Sequence, residues 1–553
     1  GFSRSVFIID FLLTLIFVAG FRLSIRLYFS SFKGSIGNLL HRRNQELKRI
    51  LIIGAGDAGE GLFREIDENP SLGFAVAGFL DDDQKKRGLR IHGIPVLGTT
   101  DDVQWICGEK EIDEILIAVP SASGEEMRRI AKGCERTGLR YKTIPGIPDL
   151  INGKVSIKAL RDVSYEDLLR RKPVHLEMER ISEYLKGERV LVTGAGGTIG
   201  SELCKQLLRF KPESLILVER GENNLYEIQK TLSWENDDGV DIYPCLVDIQ
   251  DIPRLEALIK GMQPTVVFHA AAYKHVPMME FNPLEAIKNN ILGTRNVAMA
   301  AQQQGLKCFV MISTDKAVQP TNIMGASKRV AELIVQGLNT RSRTKFVTVR
   351  FGNVAGSTGS VIPLFQQQIA RGGPVTVTDP EVTRYFMTIP EACQLILQAG
   401  SMARGGEIHI LDMGKPIRIA DLAEDLIRYS GREPYKEIDI VYTGLRPGEK
   451  LHEELFMDDE VPLPTAHPKI KVAKGNHIDW SWVCTCLDKL ERSLEQNDTE
   501  MVIRNLKEMV PGYQPQDNGL KIKAPQYEET SQSSVSGTSE ANVYMALGKN
   551  PKL

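Results

Sequence analysis

The sequence predicts an α/β protein: two Rossmann-like doubly wound parallel-sheet domains, the second with a smaller C-terminal substrate lobe, preceded by a transmembrane helix. Three observations predict it. Short apolar strands alternate twice with helical patterns, each alternation opens on a glycine-rich turn, and a hydrophobic run stands at the head of the chain. At 553 residues the chain is also too long for one ordinary core.

The hydrophobic run extends from Val6 to Phe21, broken by Asp10 and Thr14. That is near the short limit for a membrane span. Arg22, Arg26, Lys33, Arg42, Arg43, Lys48 and Arg49 follow it, whereas only Arg4 precedes it. The positive-inside rule then places the C-terminal side in the cytoplasm. No small-residue cleavage site marks a signal peptide. Residues 1–30 are therefore read as a transmembrane segment of the cell membrane and 31–47 as a basic linker, with the catalytic part cytoplasmic. The eight cysteines are scattered, without a disulfide framework or zinc spacing, which suits a reducing compartment. Cys484 and Cys486 read as packing or surface thiols. His41, His92 and His175 have no partners at metal-ligand spacing, so no metal is expected. A net charge of -3 gives no basic footprint for nucleic acid.

The first α/β unit is expected over 48–150. Strand Arg49–Ile53 leads into Gly54, Gly56 and Gly59, then Leu62, Phe63 and Ile66 continue at helical spacing. Further strands are Ala75–Leu80, ending at Asp81, Ile115–Val119 and Tyr141–Ile144. The template suits a nucleotide, yet a structural or regulatory role is expected, because a complete chemical set lies downstream. Residues 151–186 form a charged connector. The second unit, 187–512, has strands at Arg189–Thr193, Leu215–Val218, Asp241–Leu246, Thr265–His269, Cys308–Ile312 and Lys345–Arg350. Beyond about residue 355 the alternation breaks into shorter elements, as a lobe grafted onto a sheet would. Residues 513–553 read as a disordered tail, with Gln526–Ala541 too polar to bury a core.

The second glycine loop carries more information than the first. Gly194, Gly197 and Gly200 fall between a strand and a helix, where backbone N–H groups can approach a pyrophosphate at the positive helix end. Glu219 ends the next strand, 19 residues after Gly200. A carboxylate there accepts from the adenosine ribose and repels a 2′-phosphate, favouring NAD over NADP, although Arg220 alongside could accommodate the phosphate. Asp248, ending the following strand, suits the adenine edge. A second cluster, Ser313-Thr314-Asp315-Lys316, follows strand Cys308–Ile312, beyond the carboxyl ends where open α/β sheets bind ligands. Eight residues after Lys316 comes Met324-Gly325-Ala326-Ser327-Lys328.

These residues resemble the extended short-chain dehydrogenase/reductase family, whose signature is a Tyr-x-x-x-Lys helix after a Ser/Thr strand end. Met324 stands where that family has its tyrosine. With Thr314-Asp315-Lys316, the pattern is similar to the membrane-bound polysaccharide-biosynthesis branch of UDP-N-acetylglucosamine 4,6-dehydratases. The segments His269–Val276, Asn290–Thr294, Arg350–Val354 and Arg446–Lys450 agree. The resemblance covers about 187–456 and implies cofactor contacts from Gly194, Gly197, Thr198, Ile199, Gly200, Glu219, Arg220, Asp248, Ile249, Ala270, Ala271, Ala272 and Lys328. It implies a catalytic set of Thr314, Asp315, Lys316, Met324 and Lys328. Lys274, Asn353, Arg384, Arg446 and Glu449 are the candidates for the UDP-sugar, since arginine offers a planar fork for phosphate oxygens. A homo-oligomer is also expected.

The chemistry explains the residue types. The C5 hydrogen of a hexose is not acidic until C4 becomes a ketone. Lys316 is then placed to take the C5 proton, and Asp315 to protonate the departing C6 hydroxyl. A dry site and the neighbouring cation Lys328 would push Lys316 toward neutrality. A thioether cannot remove the C4 hydroxyl proton, so Thr314, Asp315 or a water relay must, while Met324 itself reads as packing that shapes the pocket. The resemblance implies retention at C5 and a product destined for surface polysaccharide or glycoprotein sugars. The competing readings are a UDP-sugar 4-epimerase, which normally needs the tyrosine, and a non-catalytic NAD-binding scaffold or sensor.

Overall fold

A computed structural model of the chain describes residues 47–144, 176–473 and 478–515, with 13, 14, 16–22, 24, 160, 161, 163, 167 and 174. The first unit is a six-stranded sheet. Its strands are β1 (Lys48–Ile53), β2 (Phe74–Leu80), β3 (Arg90–Ile91), β4 (Ile94–Gly98), β5 (Glu114–Ile117) and β6 (Arg140–Thr143), in the order β3-β4-β2-β1-β5-β6. All neighbours are parallel except β3 with β4. β1 from Ile50 onward and all of β5 are buried, which is why Ile50–Ile53 and Ile115–Ile117 read as apolar runs rather than alternating ones. The Asp81 carboxylate closes back on the first glycine loop, accepting from Ala55 N at 2.8 Å and from Lys86 Nζ at 2.9 Å.

The second unit is built on nine strands. β7 (Arg189–Thr193), β8 (Ser214–Glu219), β9 (Asp241–Leu246), β10 (Val266–His269), β11 (Cys308–Thr314) and β12 (Lys345–Phe351) run parallel in the order β12-β11-β10-β7-β8-β9. Ile408–Leu411 joins β12 in parallel, and Ile470–Ala473 and Pro462–Pro464 close that edge antiparallel. Chain order reverses between β7 and β10, and this switch point opens the crevice at the carboxyl edge. The edge strand β9 is largely exposed, and prolines at both ends of Pro462–Pro464 blunt the other edge.

The lobe has its own core, formed by helices Val361–Ala370 and Ile419–Tyr429 around Val375, Val377, Phe386 and Ile438. Three short strand pairs tie it together, including Asn353–Val354 with Phe386–Met387 and Thr383–Arg384 with Ile417–Arg418. The first unit meets this lobe through helix Gly124–Glu135. Lys415 pairs with Glu125 at 3.2 Å, Arg128 with Asp425 at 3.5 Å, and Tyr429 packs against the first unit's core.

Several sequence boundaries move. Helix Met178–Leu185, inside the expected connector, buries Ile181 and Leu185 in the second unit's core. Helices Trp480–Glu495 and Thr499–Met509 pack Val483, Leu487, Leu490, Val502 and Leu506 with Val330, Ile334 and Leu338 of helix Ile323–Asn339. Cys486 is buried there and Cys484 is half-buried. Tyr513, at the expected start of the tail, is buried too, whereas Gln526–Ala541 lies outside the described residues. The expected membrane placement is overturned. Among the described residues no helix is long and apolar enough to cross a membrane. Of the run Val6–Phe21, only 13, 14 and 16–21 are described, as helix; the rest, and most of the basic linker, lie outside the described residues.

Candidate active site

The glycine loop after β7 is tight enough to require its glycines. Gly194 has φ +65°, and a Cβ there would lie 2.8 Å from the Ala271 backbone. A Cβ on Gly200 would stand 2.1 Å from Gly194 O. Helix Thr198–Leu208 therefore starts hard against the strand end, and no side chain caps its N-terminus. Its first N–H groups and its positive end are left to an anion. Gly196, which the motif spacing does not single out, is equally constrained: a Cβ there would meet Asn224 at 2.5 Å.

The expected cofactor residues gather around this loop. Glu219 accepts from the backbone N–H groups of Gly196 (3.1 Å), Arg220 (3.0 Å) and Gly221 (3.0 Å), so it first fixes the loop it was expected to serve. Arg220 lies over the Tyr273 ring and 3.9 Å from Asp248. Ala270 and Ala271 hydrogen-bond to Thr193 at the end of β7, and Ala272 is exposed beside them. Thr198 is 3.4 Å from Thr358 across the cleft, Ile199 lies half-buried behind the loop, and Ile249 is part of the core. An uncapped helix end beside a backbone cradle closed to any side chain fits a dinucleotide pyrophosphate.

Three elements bring the chemical groups together. Strand β11 ends at Thr314, and a single 3₁₀ turn, Asp315–Ala317, turns the next residues into the crevice. Thr314 Oγ1 donates to Asp315 Oδ1 at 2.9 Å. Lys316 Nζ donates to the same Oδ1 and to Asn353 Oδ1, each at 3.0 Å, and lies 3.5 Å from Glu453 Oε1. Asp315 is buried, and its Oδ2 has no hydrogen-bond partner beside Gly352. The expected push of Lys316 toward neutrality is corrected here. Burial does press its pKa down, but the carboxylates of Asp315 and Glu453 outweigh burial and the opposing Arg384 charge, so it is raised. The resting lysine is an ammonium.

Lys328, on helix Ile323–Asn339, behaves in the opposite way. Burial lowers its pKa to about 8, and Glu332 opposes this only in part. Nearby His269 is held near 3 by burial and by Lys328, so it is neutral and bridges Thr193 (2.7 Å) and Thr294 (2.9 Å). Asn290, in the π-helical turn Ile287–Gly293, pins Tyr273 N and donates to Ser327 Oγ at 3.0 Å. Met324 is 3 % exposed and sits in the main hydrophobic cluster, which matches packing rather than proton transfer. Met324→Leu is accordingly expected to leave turnover within a few-fold of wild type and to cost under ~1.5 kcal/mol, as a volume-conserving exchange does. Steady-state kinetics and a denaturant titration would check both figures.

The substrate candidates divide. Asn353 is on the Lys316 amine, and Lys274 is exposed overall, although partial burial of its amine lowers its pKa. Arg446 is exposed, its backbone N–H resting on Glu449. Arg384 departs from the expected diphosphate role. Its guanidinium is taken up by Thr383 O, Leu451 O, Lys450 O and the Glu449 carboxylate at 3.0 Å, so in this state it staples the Arg446–Glu460 segment to the lobe. Two groups that the sequence did not offer emerge. One is Glu453. The other is a buried network in which Arg350 joins Glu332 and Glu460, and Glu332 also takes the Ser313 hydroxyl at 2.7 Å. Neither has a local spacing that could reveal it.

Known proteins match along most of the chain. The family profile described as polysaccharide biosynthesis protein matches residues 190–475, and a CoA-binding domain profile matches residues 1–145. The probable polysaccharide biosynthesis protein EpsC of Bacillus subtilis (strain 168) is 48% identical over 432 residues, 78% of this chain and 72% of the relative. The capsular polysaccharide biosynthesis protein CapD of Staphylococcus aureus is 45% identical over 474 residues, 85% and 78% of the two chains. An inverting UDP-N-acetylglucosamine 4,6-dehydratase of Campylobacter jejuni subsp. jejuni serotype O:2 (strain ATCC 700819 / NCTC 11168) is 34% identical over 285 residues, 50% and 79% of the two chains.

Proposed function

Because the chain belongs to the polysaccharide biosynthesis protein family, we propose that it is an NAD-dependent 4,6-dehydratase acting on a UDP-N-acetylhexosamine, UDP-N-acetylglucosamine above all. The observation that carries this reading is the hydrogen-bonded row Thr314, Asp315, Lys316 at the carboxyl edge of the sheet, on the same edge as the uncapped glycine loop. A 4-epimerase has no use for a second acid–base pair beyond the C4 hydroxyl. A dehydratase needs one.

The Gly194–Gly200 loop would hold NAD, with Lys328 at its nicotinamide ribose, and the cofactor would supply reversible hydride acceptance. The protein's own residues move the protons. Thr314 stands in for the missing tyrosine: its hydroxyl already donates to Asp315, so a C4 hydroxyl proton can pass through it to the carboxylate. Asp315 is then the acid. With C4 a ketone, Lys316 as free amine takes the C5 proton, the C5–C6 double bond forms, and the C6–O bond breaks. Asp315 gives its proton to the departing hydroxyl, which leaves as water. Lys316 finally returns its proton to C5 as C6 receives the hydride. Atoms and charge balance once Lys316 has released its resting proton to solvent, and Asp315 as carboxylate and Lys316 as amine leave the cycle as they entered it.

A single base that removes and restores the C5 proton from one face retains the configuration there. The Campylobacter relative is named as inverting, so product stereochemistry is a sharp test. Incubation with UDP-N-acetylglucosamine is expected to give a product lighter by one water, with C5 retained by proton NMR. An unchanged mass with altered C4 would replace this reading with epimerisation. NAD binding without any product from UDP- or dTDP-sugars would replace it with a binding module.

A further inference from the structure

The proton sequence above requires Lys316 as an amine, yet the resting site holds it as an ammonium. Something beyond the Asp315 pair sets when that proton is released. The groups facing Lys316 Nζ are few: Asp315 from its own turn at 3.0 Å, the neutral Asn353 amide from the lobe strand at 3.0 Å, and Glu453 from the segment after Arg446 at 3.5 Å. Arg384, on the strand Thr383–Arg384, is a cation set against it. The Glu453 side chain is only 4% exposed, so its charge is little screened by water.

Glu453 could be read simply as a partner for Arg384. The distances argue otherwise. Arg384 Nε is 3.9 Å from Glu453, while Arg384 Nη2 is already satisfied by Glu449 at 3.0 Å and by Lys450 O at 2.8 Å. The shorter ion pair of Glu453 is to Lys316. Among the described residues these two cations are its only ion-pair partners.

We infer that Glu453 is a positioning residue for the dehydration: it clamps Lys316 as an ammonium and thereby sets the pH at which this lysine becomes a base. The inference rests on the dehydratase reading for its purpose but not for its test. Glu453 shares a short segment with Arg446 and Glu449, two of the candidates for the UDP-sugar. A segment with candidate substrate groups thus also carries the charge set against the base.

The test is the protonation of Lys316 itself. Competitive acetylation of the NAD-loaded protein across a pH series, with peptide mass spectrometry, gives the labelling midpoint of Lys316 without any sugar. In Glu453→Gln that midpoint is expected to fall by ~1–3 pH units, the usual effect of one opposite charge at this range. Glu453→Asp, which keeps the charge but withdraws it, should fall less, and it carries the test alone if the glutamine variant does not fold. An unmoved midpoint in a folded variant overturns the inference. The acid limb of C5–hydrogen exchange in deuterated water should move by the same amount and in the same direction, which a merely structural role would not cause. A lowered labelling midpoint together with no water loss from any UDP-sugar by the wild-type protein would leave the Glu453–Lys316 pair standing and sink the dehydratase reading instead.

Discussion

Lys316→Ala is expected to stop C5–hydrogen exchange with solvent and to cut 4-keto product formation by ~10²–10⁴-fold, the range for loss of a general base. The NAD content should be unchanged, because Lys316 is not among the groups around the Gly194–Gly200 loop. A sharper signature follows from the order of steps. Oxidation at C4 precedes proton removal, so the variant should still transfer the C4 hydride in a single turnover, seen as the absorbance of the reduced nicotinamide. Normal exchange at C5 in Lys316→Ala would remove the lysine from the mechanism. Asp315→Asn is a useful companion: it removes the carboxylate that receives the C4 hydroxyl proton, so it should also suppress the hydride transfer that Lys316→Ala retains.

The second large effect lies away from the reacting atoms. Arg350 is fully buried and binds Glu332 and Glu460, with a further bond to Leu455 O. Burial alone would raise the pKa of Glu332, but the Arg350 and Arg329 charges hold it near 2. Relative to an ordinary glutamate at 4.5, that shift corresponds to about 3 kcal/mol. The sign follows from a depressed folded-state value. The contribution is complete above pH 4.5 and fades as the pH falls through about 2. Arg350→Met takes the guanidinium from two buried carboxylates, leaving Glu332 with Arg329 as its one ion-pair partner among the described residues, and is expected to destabilise the second unit by ~3–5 kcal/mol, measured by urea unfolding at neutral pH. Because Glu332 alone then titrates upward, the variant should regain part of the difference between pH 6 and pH 4. A stability equal to wild type at neutral pH would show the network to be dispensable.

How much of this was legible in the sequence depends on the range of the interaction. The strands from Arg189 to Arg350 and the glycine loop could be read because a parallel strand buried on both faces is a run of apolar residues, and a turn that excludes Cβ atoms is a run of glycines. Thr314-Asp315-Lys316 could be placed because a strand end fixes where its next residues go. Glu453 could not, since it comes to Lys316 across more than a hundred residues, through a segment with neither helical nor strand period. Arg384 misled for a related reason. A guanidinium fork suits phosphate, but it suits backbone carbonyls and a neighbouring glutamate equally well, and only packing decides. The charge state of Lys316 was misjudged because burial was visible in the sequence pattern while the second carboxylate was not. The short elements beyond residue 355 escaped because two-residue strands carry no periodicity.

Helix Ile323–Asn339 holds both Met324 and Lys328, and its outer face is closed by helices Trp480–Glu495 and Thr499–Met509. During synthesis, then, the strands and cradle from Arg189 onward leave the ribosome well before the pieces that cover this helix. Until the final turns near Met509 emerge, the covered face of this helix stays open, with no Trp480 ring against Gly337. The half-made enzyme is thus obliged to wait for its own far end before its lysine-bearing helix is sealed.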